Sequence, residues 1–165
     1  MVAASSLKAV HEALASFSGP LPPFTDAVAA AGRLLDDPAA LSELSAFDRV
    51  FLAERFAKAF GAMPWETLPS RPLHGDTQFG NLFITDHGPL WGDFEAVCTA
   101  PVEWDLAGRP PPMQAAFDLD GGLLRALTAL RRVCLVIWCW NEAHRSPEVR
   151  AAAEYHLGRL KRTRG

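Results

Sequence analysis

Leu73-His74-Gly75-Asp76-Thr77-Gln78-Phe79-Gly80-Asn81, followed by Trp91-Gly92-Asp93-Phe94-Glu95, is the stretch of this 165-residue chain from which the rest is read. Asp76 and Asn81 flank a loop that contains Gly80. Beyond it, residues 81–85 and 89–94 form short extended pieces joined by Asp86-His87-Gly88, and a D-x-G turn between apolar runs predicts a β-hairpin. The hairpin returns Asp93 alongside Asn81. Folding therefore gathers the carboxylates of Asp76 and Asp93 and the amide of Asn81 in one place.

That set suits phosphoryl transfer. Magnesium takes hard oxygen ligands, typically one or two carboxylates together with the phosphates of its substrate, and Asn81 and Asp93 are ligands of that kind. The transfer also needs a carboxylate that orients the attacking hydroxyl and accepts its proton without being consumed by the metal. Asp76 is the candidate for that role.

Outward from this stretch the chain reads as helical. Leu7, Val10, Leu14 and Phe17 recur at helical spacing behind Ser5 and Ser6, which are placed to cap, and the run stops at Gly19-Pro20. A second helix follows with Thr25 or Asp26 as cap, carrying Val28, Leu34 and Leu35, and Asp37-Pro38 opens a third. From Ser45 to Phe60 the aromatic set Phe47, Phe51, Phe56 and Phe60, with Val50, predicts a helix face turned to the core and ended by Gly61. Residues 63–71 carry prolines and read as a connector. After Gly121 helices resume through Leu123, Leu127, Leu130 and Ile137, and Ser146-Pro147 starts a last one that ends in the basic tail from Arg159 to Arg164.

Composition narrows the class. Hydrophobic residues make up 49% of the chain and charged residues 21%, the balance of a folded globular domain. A net charge of −3 offers no broad basic surface, so nucleic acid is not an expected partner. The longest strongly apolar run, Val133 to Trp140, is too short for a bilayer, and the expectation is a cytoplasmic protein without membrane contact. Cys98, Cys134 and Cys139 contain no C-x-x-C pair and read as free, mostly buried thiols.

The ordered set H-G-D-x-x-x-x-N and D-F-E, from His74 to Glu95, resembles the active-site signature of the aminoglycoside phosphotransferase and choline kinase-like family. Protein kinases share its spacing as H-R-D-x-x-x-x-N and D-F-G. Pro101-Val102-Glu103-Trp104-Asp105-Leu106-Ala107 is similar to the family's Asp-Leu-Ala segment. The resemblance implies an α+β, mainly α fold, the protein-kinase-like carboxy-terminal lobe with a small catalytic hairpin. It implies one domain over 1–165, with a helical subdomain at 1–70, the catalytic loop and metal-site hairpin at 71–108, and helices at 109–165. Asp76 is then the catalytic base, Asn81 and Asp93 the magnesium ligands, and Asp105 a buttress of the loop. His74 reads as a packed residue bonding the loop backbone, and Glu95 either steadies the metal site or caps a turn. ATP or another nucleoside triphosphate is the implied co-substrate, and a small-molecule hydroxyl the acceptor.

A complete kinase of this type also needs a glycine-rich loop over the phosphates and a strand lysine. The sequence has no G-x-G-x-x-G or G-x-x-x-x-G-K run, and its lysines, Lys8, Lys58 and Lys161, fall in predicted helices or the tail. The expectation is a lobe lacking its ATP-gripping partner, whether by a truncated gene, a misplaced start or a separate subunit, and inactive alone. Two other classes stand beside it. One is a non-catalytic module that binds a small molecule or a protein. The other is a metal-dependent hydrolase using His74, Asp76, Asp93 and Glu95, a poor transition-metal set. For the acceptor, Trp138, Cys139, Trp140, Asn141 and Glu142 read as core before pocket. Glu103, Asp118 and Asp120 suit a cationic acceptor but read first as solvated carboxylates.

Overall fold

The computed structural model describes residues 2–37 and 39–163. Helices α1 (Val2–Ala15), α2 (Phe24–Asp36) and α3 (Ala46–Gly61) precede strand β1 (Arg71–Leu73), the hairpin β2 (Leu82–Thr85) and β3 (Gly88–Trp91), and strand β4 (Cys98–Ala100). Helices α4 (Val102–Leu106), α5 (Pro111–Gln114), α6 (Gly121–Asn141) and α7 (Pro147–Arg162) complete a mainly helical α+β chain. Among the described residues the strands form two antiparallel pairs, β1 with β4 and β2 with β3.

Contacts divide the chain into two compact units: the residues up to Phe24 with Pro64–Thr128, and Thr25–Met63 with the residues from Ala129 on. This does not follow the consecutive segments 1–70, 71–108 and 109–165 read from the sequence. The reason is α1, which packs on β1 and β3 and so joins the strands instead of the other amino-terminal helices. Its buried residues Ala4, Leu7 and His11 recur at helical spacing. Ala4 and Leu7 form a core with Trp91, Leu106 and Met113. The Trp91 indole N–H donates to Ser6 Oγ at 3.0 Å, which pins the hairpin to the helix. Ser5 and Ser6 thus lie inside α1, where they were expected to cap it, because the helix already runs at Val2. The same unit seats Phe24 against Trp104 and Trp65, with ring centroids 4.9 and 6.2 Å apart.

The second unit is helical. Ser45 caps α3 by accepting the Asp48 N–H at 3.1 Å, and Ser146 caps α7 by accepting that of Val149 at 3.3 Å. The interior of α6 carries Leu130, Val133, Cys134 and Ile137, all buried, and burial pushes the Cys134 thiol up to about 12. The aromatic face expected of α3 is only partly turned to the core: Phe51 and Phe56 are half-buried. Phe47 is 77% exposed and Val50 58%, whereas Leu52 and Ala59 are buried. Leu52 and Ala59 lie seven residues apart, two turns of helix, with Phe47 and Val50 on the far side. No helix begins at Asp37-Pro38 either. Pro38 lies outside the described residues, Asp37 Oδ1 accepts the Ala39 N–H at 2.8 Å in a tight turn, and Leu41 has a left-handed backbone with φ 53°. The Arg49 guanidinium holds that loop, donating to the carbonyls of Leu35, Asp37 and Ala40. Among the described residues no helix is long and apolar enough to cross a membrane.

Candidate active site

The loop from His74 to Asn81 leaves β1 and enters β2, and its shape is set by a carboxylate contributed from α4. Asp105, 1% exposed, accepts the His74 N–H through Oδ2 at 3.1 Å and the Gly75 N–H through Oδ1 at 2.8 Å. Its backbone carbonyl accepts the Thr77 hydroxyl, and Arg109 donates to the Thr77 carbonyl at 3.0 Å. Asp105 thus holds the backbone at the start of the loop from α4.

His74 is fully buried and holds the loop against the hairpin. Its Nε2 lies 2.9 Å from the Gly92 carbonyl, and its Nδ1 accepts the Asp76 N–H at 3.3 Å. A carbonyl only accepts, so Nε2 carries the hydrogen and Nδ1 the lone pair. Both ring nitrogens are committed to backbone groups. The ring serves as a strut, and the hydrolase arrangement, which needs His74 as a ligand, has no nitrogen to use.

Gly75 makes this geometry possible. Its φ is +84°, and a Cβ built there would stand 1.8 Å from the Ala96 carbonyl oxygen, a place only glycine can occupy.

Asp76 and Asn81 meet directly. The Asn81 side-chain amide donates through Nδ2 to the Asp76 carbonyl at 2.9 Å and to Asp76 Oδ2 at 3.0 Å. Gln78 Nε2 adds a donor to the same Oδ2 at 3.1 Å. With its nitrogen turned to Asp76, Asn81 presents its amide oxygen away from that residue, as a cation ligand requires. The Asn81 carbonyl accepts the Gly92 N–H at 2.9 Å, extending the hairpin ladder past Leu82↔Trp91 to the residue before Asp93.

Asp93 sits beyond the end of β3 in a left-handed conformation, φ 60° and ψ 68°. Aspartate tolerates this region better than most residues, and such outliers concentrate at functional sites. Its exposed carboxylate makes no hydrogen bond or ion pair with any described residue. The amide oxygen of Asn81 and the carboxylate of Asp93 are oxygen donors of the kind magnesium takes. Glu95, also exposed, lies in the short helical turn Phe94–Ala96 and touches neither Asp76 nor Asn81 through any hydrogen bond. Among the described residues there is no group of three or more His, Cys, Asp and Glu placed to hold a metal by themselves.

The other candidates separate. Asp120 caps α6, with Oδ1 accepting the Gly122 and Leu123 N–H groups at 2.6 and 3.0 Å. The Leu123 N–H first, then that of Gly122, holds its carboxyl below the usual range. Trp140 is buried and lines a small cavity of about 130 Å³ together with Asn141 and His144, a cavity that does not include Trp138, Cys139 or Glu142. Cys98 and Cys134 are buried and in no disulfide, and Cys139, likewise unbridged, is half-buried. His11 and Arg109 were not read from the sequence. The faint signal for His11 is its place four residues after Leu7 on the buried face of α1.

Compared with known proteins, the chain matches no family model, no curated protein and no solved structure. The functional reading therefore rests on the loop, the hairpin and the residues between them.

Proposed function

We propose that this chain is the catalytic lobe, protein-kinase-like in fold, of a phosphotransferase that moves the γ-phosphoryl group of ATP to a hydroxyl of a small molecule. One observation carries the reading: the Asn81 amide grips Asp76 through its nitrogen, so one side chain fixes a carboxylate and keeps its oxygen free of it, while its carbonyl accepts the N–H of Gly92, the residue before Asp93. In the proposed reaction Asp76 orients the acceptor hydroxyl and takes its proton as the new P–O bond forms. The bond from the γ-phosphorus to the bridging oxygen breaks in the same in-line displacement, and ADP leaves with that oxygen. Asn81 and Asp93 would hold magnesium, which would offset the charge of the phosphates. Asp105, His74 and Arg109 keep the loop in place and do not react.

The reading also needs a phosphate-gripping lysine and glycine loop from outside this sequence. Lys161 is paired with Asp48, and Lys8 lies over the Phe117 ring at 5.2 Å. Lys58 belongs to the last turn of α3. The hairpin supports a missing partner in another way. Phe83 and Leu90, a cross-strand pair, are 54% and 60% exposed, and Ile84 is 80% exposed. An apolar surface of this kind marks a contact site.

Calorimetric titration with magnesium and ATP tests the metal assignment. The chain is expected to bind magnesium weakly alone and more tightly with ATP present, since phosphates complete the coordination. Asp93→Ala is expected to abolish the gain. Identical heats for the two proteins would remove Asp93 from the metal role.

A further inference from the structure

We draw no further inference here: the strongest candidate, the open apolar pocket of about 480 Å³ that Val10, Leu14 and Phe17 at the end of α1 form with Phe94, carries none because nothing in the structure shows what covers it.

Discussion

Asp76 is half-buried, and the amides of Asn81 and Gln78 both donate to its Oδ2. An asparagine at this position keeps an oxygen for those donors and loses the capacity to take a proton. Asp76→Asn is therefore expected to leave the melting temperature nearly unchanged and to lower kcat of the active assembly by about a hundred to ten thousandfold. A variant as fast as wild type would end the assignment of Asp76 as base. Residues of this kind are legible in sequence because type and spacing carry their chemistry: Asp76 and Asn81 lie in one loop, and a hairpin brings Asp93 back. His11 and Arg109 are not, since each acts through a contact distant in the chain, His11 on Asp105 and Arg109 on Thr77. Glu103 was legible only as a charged residue. Its burial and its hydrogen bond to the Asp120 N–H depend on the folded turn.

At the level of elements, the loop joining β1 to β2 depends on a backbone turn that no side chain tolerates. Adding a methyl group at Gly75 imposes the left-handed penalty of about 1–2 kcal/mol. It also places carbon against the Ala96 carbonyl, at 1.8 Å from oxygen and 2.7 Å from carbon. Gly75→Ala is expected to lower stability by more than about 2 kcal/mol, a fall in Tm of roughly 5 °C or more. Gly88, with φ +107° and open space where its Cβ would be, provides the control, and Gly88→Ala should show the backbone penalty alone. Equal melting curves for the two variants would sink the argument. The hairpin was readable because Asp86-His87-Gly88 separates apolar runs. The pair β1 and β4 was not, because each strand has only three residues, one contains Pro72, and alternation over so short a run carries no signal. Helix α3 was found, but its core face centres on Leu52 and Ala59, which takes in Phe51 and Phe56 only in part and leaves Phe47 exposed, so phenylalanine content alone placed the face too broadly. The expected helix at 37–38 failed on turn chemistry, with Asp37 bonding the nearby Ala39 N–H.

For the molecule as a whole, the proposed reaction demands more than this chain supplies. In that proposal Asp76 takes the proton, and Asn81 with Asp93 would hold the cation. Nothing among Lys8, Lys58 and Lys161 lies in the loop or the hairpin to neutralise a transferring phosphoryl group. Preorganised donors at such positions contribute about a hundredfold or more each. The isolated chain is expected to show negligible ATP turnover against a panel of amino-alcohol and sugar acceptors. Activity should appear when an amino-terminal lobe bearing a lysine and a glycine-rich loop is restored, by extending the reading frame upstream or by adding a separate subunit. The exposed hairpin pair Phe83 and Leu90 should be shielded in that assembly, which fluorescence of a hydrophobic dye can follow. Turnover by the isolated chain at about 1 to 100 per second, the ordinary kinase range, would show that the lysine and glycine loop are dispensable here. If the assembly forms and still turns nothing over, the chain is a non-catalytic binding module and the phosphotransfer reading fails.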